Sequence, residues 1–308
     1  MKKRTILSAL ALTSVLALSA CGGSGGDDPL SGGGDTKGSS GSEVIIGSAD
    51  FTESQLIASI YSQALQSAGV KVKEQFNIGS REVYMTALKD GSIDLIPEYT
   101  GSLLKYLDPK STASASEAVT TELTSKVPEG ISLLTPSAAQ DKDSVTVTKA
   151  TADKYKLKTI SDLKPVAGEI VFGGPPEWKT RAQGLIGLRD VYGLNFKEFV
   201  TLDAGGTLTM TALTNGQIQA GDIFSTDPGI VTNNLVALED DKNLFASENV
   251  VPVIKTAKET DAITKTLNAV SAKLTTDDLV KMNAEAATGT NLADIAKKWL
   301  AGAGISGT

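Results

Sequence analysis

The strongest constraint on the fold is a string of residues that occurs twice. Met85–Thr86–Ala87–Leu88 is followed by two polar residues, Gly91, and Ile93; Met210–Thr211–Ala212–Leu213 is followed by two polar residues, Gly216, and Ile218. The offset is 125 (210 − 85), and carrying it forward sets Tyr99 opposite Phe224 and Thr100 opposite Ser225. Each copy reads as a helix stopped by a glycine, then a short buried strand, then a loop with an aromatic and a hydroxyl. Glycine suits the left-handed position that ends a helix. Ligands of open α/β sheets bind beyond the carboxyl ends of the strands. Two such loops, one from each half, predict two lobes facing a shared cleft.

The remaining patterns give the same α/β rhythm. The first half reads as strand 43–47, a helix from 52 to Gly69, strand 70–75, helix 81–89 and the strand leading to Tyr99. Thr52, with Gln55 three residues on, resembles a capping box. Short helices are expected at 102–107 and 113–125, and a strand at 144–148. Later come strand 169–173, helix 180–192 closed by Gly193, strand 199–202, helix 207–214, and strands 220–224, 235–239 and 250–254. Helices 256–272, 277–286 and 291–300, the last capped by Asn291, close the chain. The strands at 144–148 and 250–254 are expected to carry the chain between lobes, making a two-strand hinge of the kind that closes on ligands. The expected divisions are 1–20 leader, 21–42 tether, 43–146 plus 253–304 first lobe, and 147–252 second lobe.

Composition narrows the function. The formal charge is -7, which argues against nucleic acid, a ligand that rewards basic patches. Histidine is absent and Cys21 is the single cysteine, removing the commonest general base and any cysteine-cluster zinc site. No Gly-x-Ser-x-Gly elbow is present. Binding is therefore expected rather than catalysis, with no cofactor and no metal.

Lys2, Lys3 and Arg4 precede an apolar run to Ala20, the pattern of a secretory leader. It ends in Leu18–Ser19–Ala20–Cys21, which resembles the bacterial lipobox. That resemblance implies a lipid on Cys21; the alternative is a plain signal peptide with a stray cysteine. Residues 22–41 are rich in Gly, Ser and Asp. Such a stretch is expected to be a flexible tether of roughly 25 Å root-mean-square span.

Several further motifs resemble one family. They are Phe51–Thr52–Glu53, the stretch from Gly91 to Gly101, Arg181 with Gly184–Leu185, Tyr192–Gly193–Leu194, Phe224–Asp227, and Asp240–Phe245 followed by Pro252. Together they resemble the substrate-binding proteins of ABC importers for glycine betaine, choline, carnitine and similar quaternary amines. The resemblance implies an α/β, two-lobed periplasmic-binding-protein fold of type II topology, and a lipid-anchored monomer that hands its solute to the membrane permease of an ABC importer. In the family a cage of tyrosines holds the quaternary ammonium and basic residues meet the ligand carboxylate. Cation–π contacts of this kind contribute about 0.5–2 kcal/mol each. Carried over by position, the first cage tyrosine is Tyr99 and the hydroxyl partner is Ser102. The second cage position falls on Ser144, the third on Phe224 and the fourth on Glu248, while Arg181 is the carboxylate-binding arginine. Ala49 stands where the family has a lysine. Trp178 is an additional ring three residues before Arg181, and Thr52 belongs to the first loop. A polyhydroxylated or amine solute is the alternative to an osmoprotectant, because Ser144 and Glu248 replace rings. A surface adhesin or sensor lipoprotein is the second alternative.

Overall fold

A computed structural model describes residues 43–305. The expected leader, tether and lipidation site at Cys21 lie outside the described residues. Ten strands form two separate sheets of five. They are β1 (Val44–Gly47), β2 (Val72–Gln75), β3 (Leu95–Tyr99), β4 (Ile131–Leu133), β5 (Asp143–Thr148), β6 (Val171–Gly174), β7 (Glu198–Thr201), β8 (Ala220–Phe224), β9 (Leu235–Ala237) and β10 (Val250–Lys255).

The first sheet has the order β2-β1-β3-β10-β4 and the second β7-β6-β8-β5-β9. Within each, the first three strands run parallel and the fourth is antiparallel to both its neighbours. The two copies of the repeated string thus occupy equivalent places: β3 and β8 are the central strands. Each is entered through a glycine in the left-handed region, Gly91 at φ 85° and Gly216 at φ 79°. There a side chain would be strained, so the helix ends and the chain turns into the sheet.

The fourth strand of each sheet arrives from the other lobe. β5 lies wholly in the second sheet and β10 wholly in the first, so the sheets change just before these strands rather than inside them. Between the sheets, Gln140 and Asn249 form an isolated antiparallel bridge. Asn249 is fixed there by Ser116 Oγ donating to its Oδ1 and by its own Nδ2 donating to Ser137 O.

Helices cover both faces of each sheet. In the first lobe Thr52–Ser67, Asp261–Ser271, Thr276–Ala287 and Leu292–Ala303 pack one face with Ile46, Leu56, Ile60, Leu267 and Leu300. Arg81–Asp90, Thr100–Leu107 and Ser116–Lys126 pack the other with Met85, Leu88, Ile93 and Val253. The second lobe is built likewise, around Val147, Phe172 and Trp178 on one face and Leu213, Ile218 and Ile223 on the other. Burying both faces explains why β3 and β10 read as nearly continuous apolar runs.

Three local expectations are corrected. The first helix is capped at Phe51 without a side-chain bond, and Thr52 is its exposed first residue. The expected helix 180–192 begins only at Leu185, after a short 3-10 turn at Pro176–Lys179. Gly184 lies under that turn: a Cβ there would sit 2.2 Å from the Trp178 carbonyl oxygen. The expected helix 256–272 is a 3-10 turn and then Asp261–Ser271, because Thr260 accepts from the Ile263 amide and starts a new helix.

Candidate ligand-binding site

Between the lobes lies a cavity of about 60 Å³. Its walls come from the loop after β1, the ends of β3, β5 and β8, the start of helix Arg81–Asp90, and the irregular segment before Leu185. Tyr99 and Phe224, the paired positions of the repeat, both face it. Phe51 stands between them, its ring centroid 6.0 Å from that of Tyr99 and 5.0 Å from that of Phe224. An aromatic row therefore runs from one lobe to the other.

Glu53, in the first turn of the first helix, ties this row down. Its carboxylate accepts from Tyr99 Oη at 2.7 Å, Thr226 Oγ1 at 2.6 Å and Asn283 Nδ2 at 2.6 Å. Thr226 follows β8 in the second lobe, so Glu53 joins the lobes as well as orienting the tyrosine. Asp141 accepts from the Thr226 amide and from Ser225 Oγ. Burial raises both carboxyls above the ordinary range, and Glu53 adds its own charge against Asp141.

A second group stiffens the wall behind Tyr99. Glu98 is fully buried and accepts from Arg81 Nε at 2.7 Å, Arg81 Nη2 at 2.9 Å and Tyr84 Oη at 2.8 Å. Arg181 crosses the cleft: its Nε and Nη2 donate to the two carboxylate oxygens of Glu82 at 3.2 and 3.1 Å, and Glu177 stands 3.7 Å away. Burial acts upward on Glu82, but the hydrogen bond and charge of Arg181 bring it down to about 2. Both arginines of the cavity wall are thus already engaged by carboxylates.

The residues expected from sequence divide into two sets. Tyr99, Ser102, Arg181, Phe224 and Trp178 all line the cavity. Trp178 does so while fully buried and stacked on Phe172 at 5.4 Å, as part of the second lobe's core. Thr52, Ser144 and Glu248 are not in the lining. Ser144 Oγ donates to the Ile223 carbonyl at 2.6 Å, within the sheet. Glu248 lies beneath Ser102, accepting from its amide at 2.9 Å and its hydroxyl at 2.7 Å, and burial pushes it up to about 8. Residues that sequence reasoning missed are Phe51, Arg81, Tyr84, Asp143 and Asp222, all in the lining. Phe51 stood in a quoted motif, and Asp222 is a lone acid inside an otherwise apolar strand.

Residues 42–302 match the family model of the substrate binding domain of ABC-type glycine betaine transport system. The chain belongs to this family. A carnitine transport binding protein of Listeria monocytogenes is 32% identical over 305 residues, covering 93% of this chain and 92% of the relative. A glycine-betaine-binding protein of Pseudomonas aeruginosa is 30% identical over 224 residues, covering 68% and 70% respectively. Among solved structures, a glycine betaine/carnitine/choline ABC transporter superposes with a TM-score of 0.67 at 23% identity, over 85% of this chain and 99% of that one. The last likeness carries the two-lobed solute-binding fold. As the substrate-binding component of an ABC importer, the chain works outside the cytoplasm, with a small-molecule solute and a permease as its partners. No helix among the described residues is long and apolar enough to cross a membrane.

Proposed function

We propose that this chain captures a small organic cation of the osmoprotectant class, closes its two lobes on it and delivers it to the permease without chemical change. The supporting observation is the aromatic row Tyr99–Phe51–Phe224, spanning the cleft in a wall where carboxylates outnumber the two engaged arginines. Aromatic faces and negative charge together attract a cation and repel an anion. Glycine betaine, choline and carnitine, carried in the names of relatives, are the first solutes to try. Tyr99, Phe224, Ser102, Arg181 and Trp178 form the binding wall in this reading. Thr52, Ser144 and Glu248 act from behind it, through the loop, the sheet and Ser102. A lipid on Cys21 would hold a monomeric receptor beside its permease.

A melting experiment tests this. A solute present at 100 times its Kd adds about 2.7 kcal/mol of stability, which raises the melting temperature. Organic cations are expected to do so and simple sugars are not. Tyr99→Ala removes a ring and the Tyr99–Glu53 bond together, and is expected to weaken binding at least tenfold. If sugars alone stabilise the protein, the polyhydroxylated alternative replaces this reading.

The clamp across the cleft supplies a smaller prediction. Glu82 is nearly half exposed, so Glu82→Ala should cost less than about 1 kcal/mol in a urea melt. The same change should weaken solute binding by several-fold, because the closed arrangement loses its Arg181 contact. Unchanged affinity in a titration would show that this pair does not contribute to closure.

A further inference from the structure

Among the described residues, Asp222 has no hydrogen-bond partner. It is fully buried, it lines the cavity, and neither of its carboxylate oxygens has a hydrogen-bond partner in the structure. Three buried acids around the cavity are satisfied: Glu98 by Arg81 and Tyr84, Glu53 by three donors, Asp141 by Ser225 and Thr226. Buried carboxylates are ordinarily paired or hydrogen-bonded, so an exception calls for an explanation.

The position of Asp222 indicates what is missing. In the β5–β8 ladder Asp143 is paired with Phe224 and Val145 with Asp222. Side chains alternate across a strand, so Asp143, Asp222 and Phe224 share one face, with the two acids as diagonal neighbours. Asp143 also lines the cavity. Burial and then the charge of Asp143 push Asp222 well above the usual carboxylate range, and Arg181 only partly offsets this. Arg181 itself is held by Glu82 and Glu177. At the matching place in the first copy of the repeat, 125 residues earlier, the chain has Pro97. The acid is therefore a feature of one lobe and not of the shared scaffold.

We infer that the cleft is built for an organic cation that carries N–H donors, such as a protonated alkylamine or a guanidinium, which donates to Asp222 beside Asp143 while its apolar part lies against Phe224 and Phe51. A quaternary ammonium supplies the positive charge but no N–H, and leaves both Asp222 oxygens unsatisfied. A planar guanidinium matches a carboxylate through two parallel N–H···O bonds and stacks on aromatic faces. With both wall arginines engaged, a ligand carboxylate has no free guanidinium to meet in this arrangement. This inference rests on the receptor reading and specifies the cation within it.

The test is calorimetric titration of the purified protein with a series in which each N–H replaces one N-methyl group: choline, N,N-dimethylethanolamine, N-methylethanolamine and ethanolamine, with methylguanidine as a planar probe. All but choline present N–H donors at pH 7. The dimethyl compound is expected to bind at least tenfold more tightly than choline. Asp222→Asn is expected to erase that preference, and Asp143→Asn to reduce it. Melting curves of both variants report whether the fold is kept; removing an unpaired buried acid should raise the melting temperature of the empty protein. If choline equals or exceeds its N–H analogues in the unaltered protein, or if the ranking survives in Asp222→Asn, the inference is overturned and the receptor reading stands. If no organic cation binds, both are overturned.

Discussion

Glu98→Ala is expected to lower the stability of the protein by about 3–5 kcal/mol. Glu98 has no solvent exposure and accepts two bonds from Arg81, one from Tyr84 Oη and one from the Tyr99 amide. Arg81 is itself only 7% exposed. Truncation leaves a buried guanidinium without its counter-charge. Such a loss exceeds what any surface ion pair of this protein contributes, since exposed pairs are generally worth 0–1 kcal/mol. Glu98→Gln is expected to be nearly as harmful, because one amide oxygen cannot accept from two guanidinium nitrogens and a phenol while its NH₂ faces donors. Urea unfolding of the two variants checks this through the midpoint. A shift worth less than about 1 kcal/mol would mean that Arg81 finds another partner.

The second large effect is on pH dependence. Glu248 is pushed up to about 8 by burial, opposed by its bonds from Ser102. The ordinary value is 4.5. Between those limits the folded protein holds a proton that the unfolded chain has released, so stability falls as pH rises. The contribution is fully present below about pH 4.5 and is lost as pH climbs through about 8. At about 1.4 kcal/mol per pH unit, Glu248 alone contributes a change on the order of 5 kcal/mol. Glu53, Asp141, Asp143 and Asp222 are also raised by burial and act in the same direction. Glu82, brought down from 4.5 to about 2, acts in the opposite direction, but only below about pH 4.5. The empty protein should therefore melt at a higher temperature at pH 5 than at pH 8. Glu248→Gln keeps an acceptor for the Ser102 amide and a donor for its hydroxyl, and should flatten the slope. A melting temperature that rises from pH 5 to pH 8 would contradict this account of the buried acids.

Much of the scaffold was legible because the repeat marks equivalent strands. The spacing of 125 set Tyr99 against Phe224, and both stand at the ends of central strands facing the cavity. Side-chain direction within a strand was harder to read. Ser144 falls on a cage position by sequence, yet its neighbour Asp143 is the residue in the lining. A strand has period two, so a displacement of one residue moves the side chain to the other face. Glu248 falls on a cage position by sequence, but in the fold it sits one layer back and meets Ser102. Arg181 was placed at the cleft, but its Glu82 partner is 99 residues away and no local pattern points to it. The short strand β4 was missed because Ile131–Leu133 has only three residues, too few to show alternation.

Small-angle X-ray scattering with and without solute tests the central claim most directly. A receptor that closes two lobes on a small cation should lose radius of gyration at saturating solute, and should lose none when the solute is added to a variant such as Tyr99→Ala that cannot hold it. An organic cation that binds by calorimetry but leaves the scattering curve unchanged would contradict capture by closure of the cleft.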